Sequence, residues 1–260
     1  MAELVRAKKH LGQHFLTDEK IAYAIVESLK HTDKYKKVLE IGPGMGVLTK
    51  YLLQQTAYET TVIDIDYDSI AYLKANYPEI KERIIEGDFL KYNFEEYTTE
   101  PFAVIGNFPY NISSQILFKV LENRNAVPEL VGMFQKEVAE RLAGKPRTKA
   151  YGILTVLLQT FYNIEYLFTV HENVFSPPPK VKSAVIRVTR NERTKLPVDE
   201  KLFFRVVKTG FNQRRKMLGN ALKPLGVDLV PAQKFLTQRA EELDVEEFIQ
   251  LTGLLYPTEK

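Results

Sequence analysis

The stretch "VLEIGPGMGVLT", residues 38–49, decides the fold, because it joins a short apolar run to an amphipathic segment through closely spaced glycines. Gly42, Gly44 and Gly46 stand at every second position. Glycine lets the chain turn sharply and approach a ligand at a place where a Cβ would intrude. A strand that enters such a turn and continues as a helix is typical of nucleotide-binding α/β folds, although an ordinary strand-to-helix turn can look the same.

Further apolar runs alternate with amphipathic segments along most of the 260 residues. This alternation predicts an α/β fold with a mainly parallel seven-stranded sheet covered by helices on both faces. The predicted strands are 37–41, 60–65, 83–87, 102–107, 130–135, 162–170 and 182–190, of which the last two are expected to pair. The predicted helices include 47–55, 69–76 and 153–161.

A charged segment that contains a proline, "NERTKLPVDEK", follows the last predicted strand. After it the pattern is helical, with glycine and proline breaks and no convincing strand. The sequence therefore predicts two domains, an α/β domain over residues 1–190 and a small all-α domain over residues 191–260.

Composition excludes several classes of protein. The chain has no cysteine, so disulfides and cysteine-ligated metal sites are ruled out. No apolar run approaches the roughly 18 residues of a membrane helix, and the N-terminus does not resemble a secretory signal. We expect a cytoplasmic protein without a membrane partner.

The basic residues are unevenly distributed, although the net charge is only +3. Residues 201–223 contain no acid, and within them "NQRRK" places Arg214, Arg215 and Lys216 side by side. Such a cluster is expected to bind the phosphates of a nucleic acid. Alternatively, the arginine stems cover a seam between the two domains.

Acidic residues stand at the ends of three successive predicted strands, at Glu40, Asp64 and Asp88. Parallel sheets bind ligands at the carboxyl ends of their strands, and Asp64 stands where an acid binds ribose hydroxyls. Asp88 is suited to accept a hydrogen bond from an adenine amino group, although helix caps and turns also use aspartate. NAD and S-adenosylmethionine both remain candidates, and the G-x-G-x-G spacing favours the latter.

The fourth predicted strand ends in "GNFPY", residues 106–110. Methylation of an exocyclic amine needs acceptors for its N–H groups, because its lone pair is delocalised into the ring. The Asn107 oxygen and a backbone carbonyl are suitable acceptors, Pro109 fixes the turn, and the ring of Tyr110 offers a face for a base. An Asx turn with a packed aromatic residue would give the same letters.

Six segments together resemble a known family, the KsgA-type ribosomal RNA adenine N6,N6-dimethyltransferases. They occur in the family's order and span about residues 8–222: "HLGQHFL", "VLEIGPGMGVLT", "EGDFL", "GNFPYNISS", "FSPPPKVKSAV" and "GFNQRRKML". The resemblance implies a Rossmann-like methyltransferase domain, a small helical C-terminal domain and S-adenosylmethionine as methyl donor. The implied substrate is a pair of adjacent adenines near the 3′ end of small-subunit ribosomal RNA.

The resemblance also implies roles for individual residues. The family's cofactor contacts fall on His14, Leu16, Gly42, Asp64, Asp88 and Asn107. Phe175 matches an aromatic residue that encloses the flipped adenine against Tyr110. Three positions depart from the family pattern: it usually has Asn at position 14, often Glu at position 64, and Leu or Ile at position 108. The bulk of Phe108 is expected beside the target base.

The leading hypothesis is an enzyme that dimethylates small-subunit ribosomal RNA during ribosome assembly, acts as a monomer on the immature subunit, and uses no metal. His10 and His14 stand four residues apart, but two histidines do not complete an ordinary zinc site. Three alternatives remain. They are a macrolide-resistance enzyme acting on large-subunit RNA, a non-catalytic RNA-binding assembly factor, and an NAD-dependent oxidoreductase.

Overall fold

A computed structural model of the protein describes residues 5–257 and contains a seven-stranded sheet and a separate two-stranded one. The nine strands, in chain order, are β1 (Phe15–Leu16), β2 (Lys37–Ile41), β3 (Glu59–Asp64), β4 (Ile84–Glu86), β5 (Phe102–Asn107), β6 (Glu129–Gln135), β7 (Tyr162–Val170), β8 (Phe175–Ser176) and β9 (Ser183–Arg190).

The strand order of the large sheet is β4-β3-β2-β5-β6-β9-β7. The first five of these strands run parallel, and β9 is antiparallel to β6. The side chains of β2, β5 and β6 are almost all buried, which explains why these runs are continuously apolar rather than alternating. The predicted mainly parallel seven-stranded sheet is confirmed, as is the pairing of the last two predicted strands.

The chain reverses its direction of growth across the sheet between β2 and β5. From β2 it adds β3 and β4 on one side, and then it returns to place β5 and β6 on the other. The loops that follow β2 and β5 therefore diverge, and a crevice opens between them at the carboxyl ends of the strands. The glycine turn and the "NFPY" turn begin at this point.

The described residues contain ten α-helices. They are α1 (Glu19–Val26), α2 (Thr49–Leu52), α3 (Tyr67–Asn76), α4 (Phe94–Tyr97), α5 (Ser113–Glu122), α6 (Lys136–Leu142), α7 (Ile153–Phe161), α8 (Glu200–Asn212), α9 (Leu218–Ala221) and α10 (Val245–Leu255). Aspartate side chains cap several N-termini, as Asp18 does for α1 and Asp199 for α8. None of these helices is long and apolar enough to cross a membrane.

Helix α2 is shorter than the sequence predicts. The predicted helix covered residues 47–55, whereas the regular α-helix covers only Thr49–Leu52. The amides of Gln54 and Gln55 reach carbonyls three residues back rather than four, so the pattern continues as tighter turns. The spacing of the apolar residues is compatible with both the α-helix and the tighter turns, so the sequence could not reveal where one gives way to the other.

The two-stranded sheet was not predicted at all. Phe15 pairs with Ser176 and Leu16 with Phe175 in antiparallel register. Each strand has only two residues, which is too short for a periodic pattern to identify. The pairing joins the N-terminal segment "QHFL" to the proline-rich segment that precedes β9.

The contacts divide the chain into two compact units. One contains the residues up to Ala139 together with Ile164–Arg190, and the other contains Glu140–Asn163 together with the residues from Asn191 onward. The segment 140–163 thus groups with the second unit, in which α7 packs on α8 and α10. Residues 191–257 contain helices and one isolated β-bridge but no strand of their own. The division into domains at residue 190 stays a prediction.

Candidate active site

A cleft lies at the carboxyl ends of β2 and β5 and encloses a cavity of about 200 Å³. Four parts of the chain line it: the N-terminal segment, the glycine turn, the ends of β3 and β4, and the turn after β5. Seven of the site residues predicted from the sequence meet there: His14, Gly42, Asp64, Asp88, Asn107, Pro109 and Tyr110.

The glycine turn gives the cleft its floor. Gly42 and Gly44 have φ values of +63° and +57°, a region that residues with a Cβ rarely adopt. A Cβ on Gly42 would meet no atom within 4 Å and would project into open space. On Gly44 it would lie 2.8 Å from Cε1 of Phe15, so the Phe15 ring packs directly on the turn. The second glycine is needed for packing, and the first leaves room for a ligand.

Asp64 ends β3 and is buried, with 7% of its surface exposed. Its carboxylate accepts hydrogen bonds from the backbone N–H of Asp66 at 2.8 Å and, more weakly, of Gly44 at 3.4 Å. Burial raises the pKa of Asp64 to about 6, while these N–H groups act in the opposite direction. A carboxylate held this way at a strand end is suited to accept hydrogen bonds from a pair of hydroxyls.

Asp88 stands in the turn after β4, with Oδ1 accepting a hydrogen bond from the backbone N–H of Leu90 at 2.9 Å. Both residues line the cleft. Glu40, the third acid at a strand end, does not line it. Its buried carboxyl lies beside the glycine turn and accepts a hydrogen bond from Thr49 Oγ1 at 2.6 Å. Burial raises the pKa of Glu40 to about 8.

Asn107 is oriented by the N-terminal segment. Its Nδ2 donates a hydrogen bond to the backbone carbonyl of His14 at 2.9 Å. A carbonyl can only accept, so this contact identifies the amide nitrogen and leaves Oδ1 without a partner among the described residues. The oxygen is therefore available to accept a hydrogen bond from a ligand in the cleft.

Tyr110 is fixed at its hydroxyl and covered on one face. The hydroxyl lies 2.5 Å from Ser183 Oγ, and the ring stacks on the His14 imidazole with centroids 5.5 Å apart and planes inclined by 26°. The Nδ1–H of His14 donates to the carbonyl of Pro177 at 2.7 Å. The side chain of His14, at a position where the family usually has Asn, is thus part of the aromatic wall of the cleft.

Two of the residues predicted to contact the donor or the base, Leu16 and Phe175, are not among those that line the cleft. Phe175 is only 4% exposed and packs in the hydrophobic core together with Leu16, its partner in the two-stranded sheet. The predicted role of Phe175, which is to enclose the flipped adenine against Tyr110, stays a prediction. The ring that contacts Tyr110 belongs to His14.

The position of Phe108 also differs from the expectation that its bulk lies beside the target base. It is only 1% exposed, and its ring packs edge-on against Phe134, with centroids 5.1 Å apart. Gly106 and Gly132 make the room, since a Cβ at either position would lie within 2.7 Å of the ring. Neighbouring strands thus absorb the extra bulk, although Phe108 still contributes to the lining of the cleft.

The anchor of the N-terminal segment was missed by sequence reasoning. Gln13 Nε2 donates to Asp66 Oδ2 at 2.7 Å, and the Lys8 ammonium bridges Asp66 and Asp68 at the start of α3. The only hint in the sequence is the position of Asp66 just before α3, which identifies a helix cap but not a partner far away in the chain.

The predicted RNA-binding residues differ in their surroundings. Arg214 is held within its own unit: Nε pairs with Glu241 at 2.7 Å and Nη2 donates to the carbonyl of Lys149 at 2.7 Å. Arg215 and Lys216 are exposed. Along α8, further exposed cations stand at positions 201, 205 and 208. Within residues 5–257 no group of three or more His, Cys, Asp or Glu side chains is arranged to hold a metal ion.

Residues 4–252 match the family described as "Ribosomal RNA adenine dimethylase". The "Ribosomal RNA small subunit methyltransferase A" of Cytophaga hutchinsonii is 60% identical over 254 residues, which cover 97% of this chain and 98% of that protein. The protein of the same name from Flavobacterium johnsoniae is 60% identical over 252 residues and covers 96% of each chain.

Two solved structures share the fold over most of its length. A dimethyladenosine transferase from Plasmodium falciparum superposes with a TM-score of 0.77 at 26% identity, covering 92% of this chain and 96% of that one. The 23S rRNA methyltransferase ErmE gives a TM-score of 0.67 at 26% identity, covering 93% and 99%. Both structures are less similar in sequence than the bacterial relatives.

Proposed function

The chain belongs to the ribosomal RNA adenine dimethylase family, and we propose that it dimethylates N6 of two adjacent adenines near the 3′ end of small-subunit ribosomal RNA. Membership makes the chain a methyltransferase. The choice of the small subunit is supported by the two relatives at 60% identity, both of which are named as small-subunit ribosomal RNA methyltransferases. The 23S enzyme is the more distant likeness, at 26% identity.

S-adenosylmethionine supplies the methyl group as an electrophilic sulfonium. The residues of the cleft fit this donor. The open space above Gly42 accommodates it close to the backbone, and Asp64 accepts hydrogen bonds from its ribose hydroxyls. Asp88 accepts a hydrogen bond from its adenine amino group. The backbone of His14 and the buried Leu16 support the donor from the N-terminal side.

The turn after β5 positions the target amine. Oδ1 of Asn107 and a backbone carbonyl of the turn accept hydrogen bonds from the two N–H groups, which favours a pyramidal nitrogen and directs its lone pair at the methyl carbon. Pro109 fixes the turn, and Tyr110 supports the base, which must leave its stack to reach the cleft. As the new N–C bond forms, the methyl–sulfur bond breaks, and the methylated nitrogen then loses its proton to water.

The observation that carries the proposal is the hydrogen bond from Asn107 Nδ2 to the His14 carbonyl. It leaves the amide oxygen, and not the amide nitrogen, for the target amine. The reaction then needs alignment rather than a strong base. Tyr110, whose ring stacks on that of His14, supports the base.

The partner is ribosomal RNA, and we place the reaction in the cytoplasm on an immature small subunit, with the enzyme acting as a monomer. Exposed Arg215 and Lys216, together with the cationic face of α8, bind RNA phosphates. Arg214 contributes by holding the neighbouring segment in place.

Methyl transfer to purified ribosomal particles tests this function. Radiolabelled donor is incubated with immature small subunits and, separately, with large subunits from a strain that lacks the gene, and the nucleosides are then analysed. Label in N6,N6-dimethyladenosine from small subunits alone is expected. Label from large subunits alone would identify a macrolide-resistance type of enzyme, and binding to small subunits without label would identify a non-catalytic assembly factor.

A further inference from the structure

Lys119 occupies an unusual position for a lysine. It lies on α5, and its ammonium faces the turn after β4 rather than bulk solvent. Nζ donates hydrogen bonds to the backbone carbonyls of Leu90 at 3.0 Å and Tyr92 at 2.5 Å. It also lies 5.5 Å from the ring centroid of Phe89 and 4.9 Å from that of Phe94. The ammonium is therefore enclosed by two carbonyls and two aromatic faces.

The carbonyls that bind Lys119 belong to the turn that carries Asp88. Within this turn, the N–H of Leu90 donates to Asp88 Oδ1 at 2.9 Å, and the N–H of Tyr92 donates to the Asp88 carbonyl at 3.0 Å. The internal bonds satisfy the N–H groups, and Lys119 satisfies the carbonyls. Because the Asp88 carboxylate is tied to the amide of Leu90, a displaced peptide at Leu90 would displace the carboxylate as well.

Replacing the ammonium should disturb the turn more than the helix. Burial lowers the pKa of Lys119, while Asp88 and Glu122 act in the opposite direction, so its charge is partly withdrawn from water. The carbonyls of Leu90 and Tyr92 compensate for that loss with charge-assisted hydrogen bonds. A side chain without a donor would leave these carbonyls without their partner, and the turn would rearrange to reach water.

From these contacts we infer that Lys119 is a positioning residue for the methyl donor: it holds the turn of residues 88–92 so that Asp88 receives the donor's adenine. The inference rests on the proposed function, in which Asp88 binds that adenine. Its consequence concerns affinity. The adenine is remote from the transferred methyl group, so Lys119 should affect donor binding and leave the rate of the bound complex nearly unchanged.

Titration calorimetry with S-adenosylhomocysteine tests the inference without turnover. Lys119→Met keeps the length of the side chain and removes the donor, and we expect the Kd to rise about tenfold. Lys119→Arg, which retains the charge and the donors, should stay closer to the wild-type Kd. Lys74→Met is the matched control, because Lys74 pairs with Glu86 on the surface of the same unit. Its Kd should not change.

A second ligand separates positioning from a general loss of structure. S-inosylhomocysteine carries an oxygen in place of the adenine amino group, so the wild-type protein should bind it much more weakly than S-adenosylhomocysteine. Lys119→Met should reduce this selectivity, whereas loosening elsewhere in the fold would weaken both ligands equally. At saturating donor, kcat should remain within about twofold of wild type.

Each outcome has a distinct meaning. Equal Kd values and equal selectivity for Lys119→Met and wild type would overturn the inference, and so would an equal weakening of both ligands. If Lys119→Met does not fold, Lys119→Gln, which retains a donor, takes its place with an expected Kd between wild type and tenfold. A wild-type protein that binds neither ligand would overturn the proposed function itself.

Discussion

The side chain of Asn107 and the backbone of His14, 93 residues apart in sequence, are joined by a hydrogen bond of 2.9 Å. Asn107 ends a central strand of the sheet, and His14 lies directly before the two-residue strand β1. Two distant parts of the chain therefore set the orientation of the amide that we propose binds the target amine.

Asn107→Asp should abolish methyl transfer although it changes few atoms. A carboxylate has no N–H for the His14 carbonyl, so the two acceptors repel and the side chain turns away. We expect kcat to fall more than about 100-fold, with RNA affinity nearly unchanged. Filter binding and single-turnover methyl transfer measure the two quantities. Asn76→Asp, on the exposed end of α3, is the control, and near-normal turnover in Asn107→Asp would refute the assigned role.

The sequence predicted most of this site because strand ends and turns leave local signals. Gly42, Asp64, Asp88 and Asn107 each follow an apolar run, and parallel strands bring such positions to one edge. The contacts between them have no such signal. The stack of His14 on Tyr110 depends on the pairing of β1 with β8, two strands that are too short to produce a pattern.

Phe108 shows a second limit of prediction from sequence. The sequence predicts its bulk beside the target base, because the letters alone do not say which residues pack behind it. The space is provided by Gly132 on the neighbouring strand β6, where a Cβ would lie 2.0 Å from the Phe108 ring. Such compensation across strands becomes visible only when the register of β5 and β6 is known.

The pair Phe108 and Gly132 should be strongly coupled in stability. Gly132→Ala alone overpacks the core and should lower the free energy of unfolding by about 1–3 kcal/mol. In a Phe108→Leu background the smaller side chain leaves room, so the same substitution should cost much less. Urea denaturation of both single variants and the double variant measures the coupling. Additive effects would show that the two positions are not coupled and that the Phe108 ring shifts into other space.

Glu40 should make the stability of the protein depend on pH. Its pKa is about 8 in the folded protein against an ordinary 4.5, because burial favours the neutral form. The stabilisation that the neutral Glu40 carboxyl gives the folded protein is complete below the pKa of Glu40 in the unfolded chain. It is lost as the pH rises through the pKa of Glu40 in the folded protein. The free energy of unfolding, measured without donor, should therefore fall between pH 5 and pH 8.

Glu40→Gln removes this titrating group and should remove most of the dependence, leaving the part up to about pH 6 that Asp64 contributes through its own raised pKa. Relative to wild type, the variant should gain on the order of 2 kcal/mol between pH 5 and pH 8. Glu19→Gln is the control, since hydrogen bonds from Lys50 and Tyr51 lower the pKa of that exposed carboxylate instead. If the free energy of unfolding changed with pH in the same way for wild type and Glu40→Gln across this range, the buried carboxyl of Glu40 would not hold its proton.

The adjacent residues Arg214 and Arg215 should separate stability from RNA binding. Arg214 is engaged with Glu241 and the carbonyl of Lys149, so Arg214→Ala should destabilise the protein by about 1 kcal/mol.

Arg215 and Lys216 are exposed, and their joint replacement by alanine should leave stability unchanged. Each lost phosphate contact reduces the slope of log K against log salt by about 0.7–0.9, so the double variant should lose about 1.5. Thermal unfolding and RNA binding at several salt concentrations measure both effects. An unchanged slope in the double variant would mean that RNA phosphates contact another surface of the protein. Unchanged stability in Arg214→Ala would show that the ion pair of Arg214 with Glu241 does not contribute to stability.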